Sequence, residues 1–105
     1  MFGDLMGEMK DKQKAIRDQL AQMEVEAEAG DGAVKVTANA KREILNISID
    51  KDKIDWDDVE QVEDLVMVAI NRVLTLAAEK EMVETQKIVQ SILPPGLGDM
   101  SGLFK

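Results

Sequence analysis

The sequence predicts an α+β fold of order α-β-β-β-α, with one three-stranded antiparallel sheet and a long C-terminal helix. Three observations predict it. Apolar residues recur in three-and-four steps up to about Gln22, alternate strictly from Met23, and return to helical density after about Asp58. Two polar breaks, at residues 30–32 and 39–42, cut the alternating part into three short strands. The pair Pro94-Pro95 stops the last helix.

The first helix carries Phe2, Leu5, Met6, Met9, Ile16 and Leu20 on one face, while Gly3 and Gly7 weaken its opening turns. Met23, Val25, Ala27 and Ala29 then alternate with Glu24, Glu26 and Glu28, giving a strand with one apolar and one acidic face. Gly30-Asp31-Gly32 supplies a turn, because glycine accepts positive φ. Val34, Val36 and Ala38 alternate with Lys35, Thr37 and Asn39, and Lys35 is expected near a first-strand glutamate. The polar stretch at residues 39–42 turns the chain again. Leu45, Ile47 and Ile49 are expected on the inward face of strand three.

Residues 50–64 hold eight acids against two lysines. Asp57 with Glu60 has the spacing of a capping box for the second helix, and Asp55 with Asp58 is an alternative. Read as a calcium loop from Asp50, the segment fails at Ile54, Asp55 and Gln61, so Asp50, Asp52, Asp55, Asp57 and Asp58 read as helix-start acids rather than a metal site. Residues 1–93 read as one α+β domain, and 94–105 as a flexible tail containing Pro94, Pro95 and three glycines.

The chain of 105 residues contains neither cysteine nor histidine, which excludes disulfides and Ser-His or Cys-His catalysis within one copy. There is no phosphate loop or dinucleotide signature. Neither an enzymatic activity nor a cofactor is expected. No apolar run has the length of a membrane span, and no signal peptide is visible, so a cytoplasmic, membrane-free protein is expected.

The second helix, about 35 residues and about 50 Å long, outruns a small domain. Residues 65–70 are consecutively apolar and surround the axis, so one stripe can pack on the sheet and another needs a partner. A second copy of the chain is the simplest partner. Leu65, Val66, Val68, Ala69, Ile70, Val73 and Leu76 are the candidate interface of an intertwined homodimer. Beyond Lys80 the helix turns polar and is expected to project into solvent.

Net charge is −8, so any contact with nucleic acid must come from a local basic region. Residues 10–17 supply one: Lys10, Lys12, Lys14 and Arg17 stand against Asp11 alone. At 100° per residue Lys10, Lys14 and Arg17 share a stripe about a quarter-turn from Met9, Ile16 and Leu20, so it stays exposed when the helix docks. Lys41 and Arg42 form a smaller basic spot on a turn. A plain solvated face, with Lys14 paired to Asp11 or Asp18, is the competing reading. No aromatic residue accompanies either patch, so base stacking is not expected.

The stretch Gly32-Ala33-Val34-Lys35-Val36-Thr37-Ala38-Asn39 resembles the strand pattern of the YbaB/EbfC family, as does Ile47-Ser48-Ile49-Asp50. Val62-Glu63-Asp64-Leu65-Val66, with Ala69-Ile70-Asn71, resembles the start of that family's long helix, and Leu93-Pro94-Pro95-Gly96 its end. Order and spacing agree over nearly the whole chain. Ala40 and Lys51 depart from the family's usual glycine and proline at two turn positions. The resemblance implies a tweezer-like homodimer, bacterial nucleoid association and DNA binding with little sequence preference through the outer helices. Lys10, Lys12, Lys14, Arg17, Lys41 and Arg42 are the candidate DNA-binding residues, with weak, salt-sensitive binding expected from so acidic a chain. An acidic dimeric adaptor that binds other proteins and not DNA is the alternative.

Overall fold

The computed structural model describes residues 2–92, with side-chain surroundings for residues 7–91; the predicted tail at 94–105 lies outside the described residues. The order is α1 (Phe2–Ala21), β1 (Glu24–Ala29), β2 (Val34–Asn39), β3 (Ile44–Ile49), a single 3-10 turn (Lys51–Lys53) and α2 (Val59–Ile92). The predicted α-β-β-β-α architecture is the observed one. The strands form one antiparallel sheet in the order β1-β2-β3.

β1 and β2 pair without irregularity from Glu24↔Asn39 to Ala29↔Val34, which sets Glu28 opposite Lys35 as their spacing predicts. The connecting turn uses three successive left-handed residues, Gly30 (φ 66°), Asp31 (54°) and Gly32 (86°). Gly30 is required twice over. A side chain there would strain the backbone, and its Cβ would stand 3.0 Å from Leu65 Cδ2.

α2 lies across β1 and β2 on the sheet's apolar face. Ala69, Val73 and Ala77, one helical row, are fully buried against Val34, Val36 and Ala38. The two alanines let the helix approach closely, and Val73 fills the centre. Arg72 Nη1 donates to the carbonyl of Glu28 at 2.9 Å, tying α2 to the outer strand.

Strand three departs from expectation. A bulge pairs Ala38 with Ile44 and drops Leu45 out of register, so Ile44, not Leu45, continues the core-facing row with Ile47 and Ile49. Since α2 does not extend over β3, Ile44, Leu45 and Ile47 remain 39%, 48% and 43% exposed, and only Ile49 is partly covered. The first helix also packs less than its pattern predicts. Leu20 is buried and Ile16 half-buried, but Met9 is exposed, because α1 runs out past the sheet.

The helix cap lies one residue later than the predicted Asp57. Asp58 Oδ1 accepts from the amide of Gln61 at 3.1 Å, making Asp58 the residue that starts α2. Asp57 instead donates its amide to Asp55 Oδ1 at 3.1 Å, in the turn before the helix. Asp50 caps the 3-10 turn by accepting from the Asp52 amide at 3.0 Å. Beyond Lys80, α2 is not wholly in solvent: Lys80, Glu81, Glu84, Thr85 and Ile88 form a half-buried stripe at three-and-four spacing, and α1 lies against this helix.

Candidate nucleic-acid interface

The end of α1 and the turn between β2 and β3 are joined through the backbone. The carbonyl of Leu20 accepts from the amides of Met23 at 3.1 Å and Ala40 at 3.2 Å, and Ala40 also donates to Met23 at 2.9 Å. Leu20 and Ala40 are both buried at this junction. The turn residue after Ala40 is thereby set beside the basic stripe of α1. Lys10, Gln13, Lys14, Arg17 and Asp18 of α1, with Lys41 of the turn, line one open cleft of about 520 Å³. Four cations and one carboxylate converge there.

Asn39 holds the turn in shape. It is the last residue of β2 and only 3% exposed, whereas the alternation of its strand predicts a wet, outward residue. Its Oδ1 accepts from the amides of Lys41 at 3.0 Å and Glu43 at 3.1 Å, and its Nδ2 donates to Glu43 Oε1 at 2.9 Å. That side-chain turn frees the backbone to place Arg42 at φ 65°, a left-handed angle usually given to glycine. The Asn39 amide, and after it the Lys41 charge 3.7 Å away, hold the Glu43 carboxyl below the usual carboxylate range.

The six basic candidates therefore divide into three groups. Lys10, Lys14, Arg17 and Lys41 are gathered in the cleft. Lys12 is exposed on α1 but does not line it. Arg42, next to Lys41 in sequence, turns to α2, where its Nε stands 3.6 Å from Glu81 Oε2. Among the described residues, no carboxylate oxygen comes within 4 Å of a side-chain nitrogen of Lys10, Lys12, Lys14 or Arg17, so Lys14 is paired with neither Asp11 nor Asp18. Gln13, Asn39 and Glu81 did not emerge from sequence. Asn39 alone left a signal, as a turn-favouring residue at the end of an alternating run.

The candidate interface residues of α2 divide as well. Ala69 and Val73 are fully buried in the chain's own core. Leu65, Val66 and Ile70 are half-buried, and Val68 and Leu76 are exposed. Apolar grooves flank the helix on two sides, one lined by Val62, Val66, Met67 and Ile70, the other by Ala27, Val68, Thr75 and Leu76.

Among the described residues, no group of three or more carboxylates is placed to hold a metal ion, and no helix is long and apolar enough to cross a membrane. What the fold offers is a small helix-sheet-helix protein with a surface cleft in which cations outnumber carboxylates four to one, which defines a candidate polyanion-binding class. The chain belongs to the YbaB/EbfC DNA-binding family, whose model matches residues 2–92. It is 42% identical over 90 residues to a nucleoid-associated protein of Thermoanaerobacter pseudethanolicus, covering 86% of this chain and 81% of that one. It is 37% identical over 107 residues to a nucleoid-associated protein of Thermodesulfovibrio yellowstonii, covering 99% and 94%. The fold is shared with the crystal structure of an uncharacterized protein from Helicobacter pylori, at a TM-score of 0.68 and 20% identity over 84% of this chain and 92% of that one. The family is one of DNA-binding proteins and not of enzymes.

Proposed function

We propose that this protein binds DNA as a homodimer, through phosphates and with little sequence preference, as a nucleoid-associated protein of the cytoplasm. The observation that carries the proposal is the cleft in which Lys10, Lys14 and Arg17 of α1 meet Lys41 of the β2–β3 turn. Lysine and arginine without a base-reading helix or a stacking ring grip the backbone and not the sequence. Among the described residues, no aromatic side chain lines the cleft. Membership in a DNA-binding family and the names of its relatives support the same reading.

The homodimer is supported by apolar surface that one chain leaves open: Ile44, Leu45 and Ile47 on β3 and Val68, Leu76 and Met67 on α2. A second α2 laid over the uncovered strand, about a two-fold axis, would bury much of it and present two basic clefts to one duplex. The pair carries twice −8, so binding occurs against long-range repulsion and weakens steeply with salt. With four cleft cations per chain, the slope of log affinity against log salt is no steeper than about −7.

A gel-shift titration on random-sequence duplex across a salt series tests this, with sedimentation of the same sample. Saturable binding at low salt, lost when Lys10, Lys14 and Arg17 become glutamate in a protein that still sediments as a folded pair, is the expected result. Binding that survives the triple change overturns the site. A folded dimer that binds no duplex at any salt is instead the acidic adaptor.

A further inference from the structure

We infer that Glu81 is an intramolecular competitor for DNA: it occupies Arg42 and keeps that cation out of an interface it otherwise borders. The inference rests on the DNA-binding reading of the cleft. Its starting point is the different fates of two adjacent cations. Lys41 lines the cleft with α1, whereas Arg42, one residue on, has its Nε 3.6 Å from Glu81 Oε2 on α2. The basic residues of α1 have no such carboxylate within 4 Å among the described residues, so Arg42 is the cation beside the cleft that is engaged from another element.

The backbone adds a second observation. Arg42 sits at φ 65°, where an L side chain is strained and glycine is the usual occupant. A strained position that still carries a long cation points to a task for that side chain. Arg42 is also 58% exposed in its side chain, against 34% for Glu81. The guanidinium therefore remains reachable by a phosphate passing over Lys41, while the carboxylate that holds it is the better shielded partner. A phosphate can take the place of Glu81, but it must first displace it. Exposed pairs of this kind shift an equilibrium by about two- to fivefold, which is the size of the brake expected on each chain.

The experiment compares wild type, E81Q, R42Q and the double variant R42Q/E81Q by fluorescence anisotropy on a short random-sequence duplex, over a low-to-moderate salt series. E81Q is expected to bind about two- to fivefold more tightly per chain engaged, with a salt slope steeper by about 0.9 for each Arg42 released. R42Q is expected to bind almost as wild type does, because the residue it removes is already occupied. Adding E81Q to R42Q is expected to recover only a small gain from the lost negative charge. An equal gain from E81Q with and without Arg42 overturns the inference, since a general charge effect then explains it, and no gain overturns it as well. If wild type binds and these variants do not differ, only the competitor falls. If none of the four proteins binds duplex at any salt, the DNA reading falls and the competitor with it. Thermal melts of the same samples confirm that each variant is folded, and both substituted side chains are at the surface.

Discussion

Replacing Asn39 by alanine removes three hydrogen bonds, two accepted from backbone amides and one donated to Glu43. A net contribution of about 0.5–1.5 kcal/mol each gives a loss of roughly 2–4 kcal/mol. The amides of Lys41 and Glu43 lie near the surface and can turn to water, which places the expected loss in the lower part of that range, about 2–3 kcal/mol. That is a large share of the 5–15 kcal/mol typical of a small domain. Urea unfolding at fixed protein concentration measures it as a lower midpoint with an unchanged slope. A loss under about 1 kcal/mol would refute the view that this side chain, and not the backbone alone, builds the turn. Asn39→Asp separates the contributions. It keeps the two acceptor bonds, loses the donor and adds a carboxylate beside Glu43. In wild type the Glu43 carboxyl is lowered, so its stabilisation is present above its unfolded value and lost as pH falls through its folded one. In Asn39→Asp the sign reverses: repulsion is greatest with both carboxyls ionised, and the deficit shrinks as acid protonates one of them.

Two further perturbations test the packing and the helix. Val73→Ala, at the centre of the contact between α2 and the sheet, removes two carbons from a fully buried site and is expected to cost about 2–3 kcal/mol by urea unfolding; a cost below about 1 kcal/mol would mean that α2 settles onto the sheet without it. Glu84 is lowered first by its bond to Lys80, 3.2 Å away, and then by Lys87 at 3.4 Å. Its contribution is therefore held above the unfolded carboxylate value and lost as pH falls through the lowered one, so the melting temperatures of wild type and Glu84→Gln should converge only as pH falls below the ordinary glutamate range. A gap that stays constant with pH refutes the pairing.

The fold was legible where burial is one-sided. Val25, Ala27 and Ala29 against Glu24, Glu26 and Glu28 admit a single strand reading, and the return of apolar residues at helical density after about Asp58 marks the helix whose row through Ala69 and Val73 packs on the sheet. Elsewhere the alternatives were nearly equal in energy. Asp57 and Asp58 are both good caps, and only the path of the chain out of the 3-10 turn selects the second. Leu45 looks like a core residue in any alternating pattern, and a bulge is invisible to that pattern because it inserts a residue without changing composition. For the candidate site, the helical spacing of Lys10, Lys14 and Arg17 was readable from the chain. Their meeting with Lys41 was not, because it depends on amide contacts between Leu20, Met23 and Ala40. The separation of Lys41 from Arg42 was equally hidden, since a left-handed arginine has no mark in sequence.

The alanines at 69 and 77 set the thickness of the joint between helix and sheet, and with it the aim of everything farther along α2. They are about 12 Å apart on the axis, while Ile92 lies about 35 Å from Ala69. For a stiff rod pivoting at Ala69, each ångström of lift at Ala77 swings the tip by about 3 Å. A single added methylene under the helix is thus magnified at its outer end, and in the proposed homodimer the separation of two such ends sets how wide a duplex the pair could span.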